Sequence, residues 1–197
     1  LYVQQTKKNP TKNSLVCICR LDDYEQKGIV ALLRGLASAR SIIPELTLDF
    51  IGQCGESARK ILDASISEYG LDQSVTLLGR MTRKEVIERM SGYAAMILLS
   101  KNESFGLVYA EAVLSDIPFI YLRGSGVDGY EFAKEYGIAS EDLSVPSIQA
   151  ALIELSGRQT ELRGKIMTER SSGKLNHLTS NGQARLYSDV ITSALKC

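Results

Sequence analysis

The chain has 197 residues, of which 44% are hydrophobic and 23% are charged, the composition of an ordinary globular domain. This length suffices for one substantial domain and is too short for two full Rossmann-like domains. Lysine plus arginine and aspartate plus glutamate number 23 each, so the overall charge gives no case for a nucleic-acid partner. No uninterrupted apolar run approaches the roughly 18 residues that would predict a transmembrane helix.

The four cysteines are interpreted as reduced thiols of a cytosolic protein. Cys17 and Cys19 alternate with apolar residues in a strand-like run, and no second Cys or His pair stands at a zinc-like spacing. With the only histidine, His177, in a polar stretch near the C-terminus, we expect no metal site. The chain begins at Leu1 without a signal-peptide pattern, and we expect it to be part of a longer protein.

Short apolar runs alternate with longer amphipathic ones along the chain, which is the pattern of βα units and a parallel sheet. Residues 1–13 are expected to be a linker from a preceding domain. The predicted strands cover residues 14–19, 46–51, 75–78, 95–99 and 117–122, with a short sixth strand beginning at Ile138. The predicted helices between them cover residues 27–41, 56–69, 82–90 and 105–115. This order predicts an α/β fold with a Rossmann-like, doubly wound parallel sheet.

Two local signals define helix ends. Thr82 followed by Glu85 predicts a capping box, and Gly70 predicts the C-terminal end of the second helix. Past Leu122 the pattern weakens, and the glycines at 124, 126 and 129 predict a flexible loop. Further helices are predicted over residues 147–155, 158–170 and 184–195. The domain is therefore expected to span residues 14–197, with C-terminal helices from about residue 156.

The segment after the fourth predicted strand carries two glutamates, Glu103 and Glu111, separated by seven residues. Glu103 stands at the tip of a loop, and a helix starts near Phe105 or Gly106. Because Gly106 has no Cβ, a ligand can approach the backbone there, where free N–H groups and the helix dipole suit a phosphate. Glu111 is placed to accept hydrogen bonds from sugar or ribose hydroxyls. The segment therefore predicts a nucleotide-sugar site, the alternative being an ordinary surface helix with solvated carboxylates.

The run from Glu103 to Ala112, with its internal Ser-Phe-Gly-Leu, resembles the donor-site motif of retaining GT-B glycosyltransferases of family 4, also called group 1. The resemblance implies the C-terminal, donor-binding half of an enzyme that moves a sugar from a nucleotide diphosphate-sugar to a glycan or lipid-linked acceptor. It implies a hexosyltransferase that retains anomeric configuration and needs no metal or other cofactor. In this family Glu103 would face the donor sugar, Glu111 would bind the ribose hydroxyls, and Gly106 and Leu107 would offer backbone N–H groups to the phosphates.

Arg20 and Lys27 follow the first predicted strand, and Lys27 is followed by Gly28. They match the family's Arg-Leu, spacer, Lys-Gly pattern, whose cations contact the donor diphosphate. An arginine fork and a lysine point charge meet a diphosphate in complementary ways. The resemblance implies that both residues act as electrostatic catalysts beside Glu103. The alternative interpretation is that they are two ordinary surface cations. Cys19 replaces the glycine usual before this arginine, and its side chain would narrow the site or change donor preference.

Two further loops belong to the expected site. Gly79 and Arg80 follow the third strand, where the family lets its nucleobase touch backbone groups, and Phe105 completes the expected donor-binding set. After the fifth strand the family has adjacent glycines, whereas here Gly124 and Gly126 are separated. We expect these two at most to cradle part of the donor through backbone N–H groups. The identities of the base, the sugar and the acceptor do not follow from these residues.

A dinucleotide-binding site or a P-loop would require glycines directly after the first strand, and both are excluded because that turn lacks them. Two alternatives stay open: a nucleotide-sugar epimerase-like GT-B enzyme, and a non-catalytic nucleotide-binding or scaffold domain. The partners implied are a nucleotide-sugar donor and an acceptor bound through a separate N-terminal domain, without nucleic acid. The isolated chain is expected to be inactive. The intact enzyme is expected in the cytoplasm or at the inner membrane face, in polysaccharide biosynthesis.

Overall fold

Six strands form one fully parallel sheet in the computed structural model, which describes residues 10–102 and 106–179. The strands are β1 Ser14–Ile18, β2 Thr47–Ile51, β3 Val75–Gly79, β4 Ala95–Leu98, β5 Phe119–Leu122 and β6 Gly137–Ser140. Their spatial order is β3-β2-β1-β4-β5-β6, and each neighbouring pair is parallel. The chain therefore winds outward in both directions from the β1–β4 pair, which confirms the predicted doubly wound sheet.

Helices cover both faces of this sheet. They are α1 Ile29–Arg40, α2 Glu56–Glu68, α3 Arg83–Met90, α4 Leu107–Leu114, α5 Glu131–Tyr136 and α6 Val145–Ser171, with 3₁₀ turns at Leu21–Asp23 and Lys174–Leu178. α1 packs against α2 and α6, so these three lie on one face. Right-handed crossovers place α3 and α4 on the opposite face, because the chain reverses its direction across the sheet after β3.

The central strands are buried because helices cover both of their faces. Every residue of β4 and β5 is buried, and so are four of the five residues of β1. Such strands read as continuous apolar runs in the sequence. Phe119 of β5 contacts the rings of Tyr109 and Phe132 at centroid distances of 5.0 and 5.9 Å, which joins β5 to α4 and α5. These contacts fix the position of α4, whose N-terminus lies at the candidate site.

The local predictions of helix ends are confirmed. The Thr82 hydroxyl accepts from the backbone N–H of Glu85 at 3.3 Å, and the Glu85 carboxylate accepts from the N–H of Thr82 at 2.7 Å. These reciprocal bonds form the capping box and fix the start of α3. Gly70 follows the end of α2 with a φ of +66°, the left-handed conformation that favours glycine at this position.

The predicted break between two C-terminal helices is wrong, because α6 is a single helix of 27 residues. Gly157 lies inside it, at a position where a Cβ would meet only open space. A helix-interior glycine costs about 1 kcal/mol, and burial of the apolar residues on this helix outweighs that cost. The short helix α5 was not predicted. The predicted helix over 184–195 and most of the predicted linker lie outside the described residues.

The first half of α6 packs on α1, and its second half runs along the amino-terminal edge of the sheet. Its Arg163 donates to the carbonyls of Ser91 and Tyr93, just before β4, at 3.0 and 3.2 Å. Farther along α6, Arg170 donates to the carbonyl of Leu114, at the end of α4, at 3.0 Å. The opposite, carboxyl-terminal edge is where ligands bind in such sheets. Over residues 10–102 and 106–179 we find no helix with the length and apolar character needed to cross a membrane.

Candidate functional site

The carboxyl ends of β1 and β4 lie side by side where the strand order reverses. The loops that follow these two strands are tied to each other by hydrogen bonds. The N–H of Lys101 donates to the carbonyl of Gln26 at 2.9 Å, and the Gln26 side chain donates to the carbonyl of Asn102 at 3.2 Å. The predicted cation loop and the predicted motif loop therefore form one surface at the switch point of the sheet.

Lys27 is held at this surface by a residue that was not predicted. Its Nζ donates to the Oγ of Ser100 at 3.3 Å, and Ser100 is fully buried at the end of β4. The next residue, Gly28, has a φ of +65°, and a Cβ there would lie 2.7 Å from the carbonyl oxygen of Leu99. Only glycine allows the two loops to approach this closely. The one sequence signal for this role of Ser100 was its position directly after a predicted apolar strand.

Arg20 lies on the same edge with its side chain 64% exposed. Its Nε is 3.4 Å from Oδ2 of Asp22, a contact that contributes little at this distance and exposure. Asp22 is engaged elsewhere, because its Oδ1 accepts from the N–H of Gly55 at 2.7 Å and so ties the loop after β1 to the loop after β2. The guanidinium of Arg20 is thus accessible to an anion at the carboxyl edge.

The helix predicted from the motif begins within one or two residues of the expected position. Gly106 has a φ of +61°, and α4 starts at Leu107, whose side chain is 59% exposed. The hydroxyl of Tyr109, in the first turn, donates to the carbonyl of Leu98 at 2.7 Å, which anchors the start of α4 to the end of β4. The positive end of the α4 dipole is therefore close to the Lys27 loop. Glu103 and Phe105 lie outside the described residues.

Glu111 lies one turn into α4 and forms an ion pair that was not predicted. Arg83, the first residue of α3, approaches Oε1 of Glu111 with Nη2 at 2.9 Å and with Nε at 3.1 Å. The pair joins two helices on the same face of the sheet. Nothing in the sequence pattern signalled this contact, because it depends on how α3 and α4 pack in three dimensions.

Gly79 and Arg80 lie at the edge strand, farther from the β1–β4 junction. Gly79 ends β3 with a φ of +78°, and its carbonyl accepts from the N–H of Gly52 at 2.9 Å. That carbonyl is therefore already used by the neighbouring loop. Within residues 10–102 and 106–179, Arg80 has an exposed side chain that makes no hydrogen bond or ion pair, so the structure does not join it to the other predicted residues.

The glycine loop after β5 is closed on itself. The N–H of Gly124 donates to Oδ2 of Asp128 at 2.9 Å, and the N–H of Ser125 donates to the carbonyl of Leu122 at 3.1 Å. The Gly124 bond is the main reason that the pKa of Asp128 is lowered. Burial and the hydrogen bond to Asp128 raise the pKa of Tyr121 to about 12. The N–H groups of Gly124 and Ser125 are thus engaged within the loop, and the expected cradle of Gly124 and Gly126 stays a prediction.

Cys19, the departure from the family pattern, packs inward. Its side chain lies against the core, with its Sγ 3.9 Å from that of Cys17. The thiol of Cys19 and burial both raise the pKa of Cys17, so that thiol stays protonated. Because Cys19 is directed toward Cys17, the additional side chain does not by itself fill the edge where Arg20 lies.

A doubly wound parallel sheet with cations and a helix N-terminus at its switch point is typical of α/β domains that bind nucleotides. Comparison with known proteins refines this class. The chain belongs to the family of glycosyl transferases group 1, whose family model matches residues 2–168. The group 1 resemblance stated from the motifs is therefore confirmed.

Individual relatives share the fold and part of the sequence. The UDP-N-acetylglucosamine–peptide N-acetylglucosaminyltransferase GtfA subunit of Limosilactobacillus reuteri is 31% identical over 119 residues, which cover 60% of this chain and 22% of that protein. The pneumococcal O-GlcNAc transferase GtfA, solved with UDP and GlcNAc, superposes with a TM-score of 0.71 at 22% identity over 97% of this chain and 37% of that one. The C-terminal domain of LpcC, a group 1 protein from Francisella tularensis, superposes with a TM-score of 0.65 at 22% identity. The match covers 80% of this chain and 81% of that one.

Proposed function

We propose that this chain is the C-terminal, donor-binding half of a retaining GT-B glycosyltransferase of family 4. The reaction is transfer of a hexosyl group from a nucleotide diphosphate-sugar to a glycan or lipid-linked acceptor, which binds mainly to an N-terminal domain. The observation that carries this proposal is the contact of Lys27 with Ser100. It holds a cation beside the start of α4, so that two sources of positive potential converge at the switch point of the sheet.

The proposed chemistry is stabilisation of the departing diphosphate. Arg20 and Lys27 meet the negative charge that develops on the leaving group, and the first-turn N–H groups at Gly106 and Leu107 add the helix dipole. These groups supply the positive charge that a metal ion supplies in other transferases, so we propose that no metal is required. Glu103 is proposed to hold the donor sugar, and Glu111 the ribose.

UDP-N-acetylglucosamine is our first candidate for the donor. This choice rests on the names of the curated relatives, five of which are UDP-N-acetylglucosamine–peptide N-acetylglucosaminyltransferase GtfA subunits. The chain spans about a fifth of the length of those relatives, so their peptide acceptor is not extended to it. The remaining expected contacts to the donor, Gly79, Arg80 and Phe105, are proposed to lie around the base and phosphates.

The first test is calorimetric titration of the chain with UDP, GDP and ADP. We expect UDP to bind, and Arg20→Ala and Lys27→Ala each to weaken it about ten- to a hundredfold, because each removes a charge-assisted hydrogen bond to the diphosphate. Lys84→Ala is the matched control, since Lys84 is an exposed cation on α3 that lies 3.9 Å from Glu88. Binding unaffected by both site variants, or reduced equally by Lys84→Ala, contradicts the proposed site.

A second experiment tests catalysis. The chain alone is expected to transfer no sugar to an added acceptor, whereas the enzyme that includes an N-terminal domain is expected to transfer it with retention and without loss of rate in excess chelator. Glu103→Ala is expected to abolish transfer and to spare nucleotide binding. Transfer by the isolated chain, or a rate abolished by chelator and restored by a divalent cation, would overturn these parts of the proposal.

A further inference from the structure

The ion pair between Arg83 and Glu111 connects two elements that belong to different parts of the nucleotide site. Arg83 is the first residue of α3, four residues after the glycine that ends β3, in the region proposed to approach the base. Glu111 lies on α4, the helix whose N-terminus is proposed to approach the phosphates. The capping box fixes the first turn of α3, and therefore fixes the backbone from which Arg83 extends.

The geometry of the contact leaves part of the carboxylate available. Two guanidinium nitrogens of Arg83 contact the same oxygen, Oε1 of Glu111, with Nη2 at 2.9 Å and Nε at 3.1 Å. Among the residues that the structure describes, Oε2 makes no hydrogen bond. A carboxylate accepts through both oxygens, so Glu111 keeps acceptor capacity for neighbouring hydroxyl groups while Arg83 restrains its direction.

Stability alone gives little reason for such a pair. The Arg83 side chain is 72% exposed and the Glu111 side chain 27% exposed, and ion pairs at exposed positions contribute little to folding. An unrestrained glutamate would instead lose side-chain freedom when a ligand binds. By ordering the carboxylate beforehand, the pair would remove this loss from the cost of binding.

We propose that Arg83 is a positioning residue that holds the Glu111 carboxylate ready to accept the 2′- and 3′-hydroxyls of the donor ribose. This role rests on the proposed function, in which Glu111 binds the ribose. Arg83 acts through Glu111 and need not touch the nucleotide. Its loss should therefore matter only for ligands that carry the ribose diol and only while Glu111 is present.

The experiment compares UDP with 2′,3′-dideoxy-UDP, which lacks both hydroxyls, by calorimetric titration of the chain. We expect Arg83→Ala to weaken the binding of UDP about three- to tenfold, because the Glu111 side chain must then be ordered at the moment of binding. We expect its effect on 2′,3′-dideoxy-UDP to stay within about twofold. In the Glu111→Ala background, adding Arg83→Ala should cause no further loss of UDP affinity, which is the pattern of a residue acting through its partner.

Lys84→Ala is the matched control, because it removes the same charge from the neighbouring position of α3, where the side chain is 77% exposed. If the general loss of positive charge were responsible, Lys84→Ala and Arg83→Ala would weaken both nucleotides alike, and the proposal would be refuted. A loss of UDP affinity on adding Arg83→Ala to Glu111→Ala would also refute it. Failure of the unaltered chain to bind UDP, GDP or ADP would instead overturn the proposed function, and this role with it.

Discussion

Gly28 is the residue at which the loop after β1 comes closest to the end of β4, and Gly28→Ala tests whether that approach builds the site. Its φ is +65°, a conformation that L-residues rarely adopt. An alanine Cβ would lie 2.7 Å from the carbonyl oxygen of Leu99 and 3.0 Å from Cδ2 of Leu143. The substitution therefore combines backbone strain with a steric overlap directly beside Lys27.

The two contributions can be estimated separately. Placing alanine in the left-handed conformation costs about 1–2 kcal/mol. The overlap with Leu99 adds about 1–3 kcal/mol, because the contacted oxygen belongs to the backbone of a fully buried residue that cannot move aside. The leucine side chain at 143 can shift and adds little. The sum is a loss of about 2–5 kcal/mol in the free energy of unfolding.

Urea unfolding measures this loss, and Gly70→Ala provides the matched control. Gly70 has nearly the same φ, +66°, but a Cβ there meets no atom within 4 Å. Gly70→Ala should therefore lose only the backbone contribution of about 1–2 kcal/mol. We also expect Gly28→Ala, and not Gly70→Ala, to weaken nucleotide binding, because Lys27 moves with its neighbour. Equal losses of stability in the two variants, with unchanged nucleotide affinity, would refute this account of the loop contact.

Two further predictions concern polar groups away from the cation loop. Gln159→Leu removes the acceptor that lies 3.2 Å from the buried N–H of Asn13. We expect the free energy of unfolding in urea to fall by about 1–3 kcal/mol. An unfolding transition with unchanged midpoint and slope would contradict this prediction. The N–H of Gly124 lowers the pKa of Asp128 in the folded state, so this carboxylate stabilises the fold above its unfolded pKa, and the stabilisation is lost as the pH falls through the folded pKa. The loss of unfolding free energy caused by Asp128→Asn, relative to the unaltered chain, should therefore be larger at pH 7 than at about pH 3, which lies below the ordinary aspartate pKa. An equal loss at both pH values would be inconsistent with the lowered pKa.

Much of the fold was predictable because its signals are local. The central strands are covered on both faces, so β4 and β5 are continuous apolar runs ended by glycine or polar residues. The capping box at Thr82 and the left-handed glycine at 70 each depend on a few neighbouring residues, and both are confirmed. The alternation of strands and helices then allows few topologies, since crossovers in a parallel sheet are right-handed.

The remainder depended on packing between distant parts of the chain. Two helices were predicted on either side of residues 156 and 157, yet α6 continues through them. Its first half packs on α1, and Ser156 and Gln159 are bonded to Asn13, just before β1. The contacts of Lys27 with Ser100 and of Arg83 with Glu111 span 73 and 28 residues in sequence. The residue types could be read from the motifs, whereas the partners that orient them could not.

The two predicted cations differ in how the protein holds them, and this difference bears on how a diphosphate would bind. Lys27 is joined to a fully buried hydroxyl on a loop that backbone hydrogen bonds tie to its neighbour, so its position is largely set before a ligand arrives. Arg20 is mostly exposed and only weakly bonded, so it would lose about 0.5–1.5 kcal/mol of side-chain freedom on binding. In the proposed site, the point charge of Lys27 is in place before the diphosphate arrives, whereas the exposed guanidinium of Arg20 is ordered only as the diphosphate binds. On the proposed function, Lys27 therefore sets the place of the diphosphate, and Arg20 adjusts its side chain as the diphosphate binds.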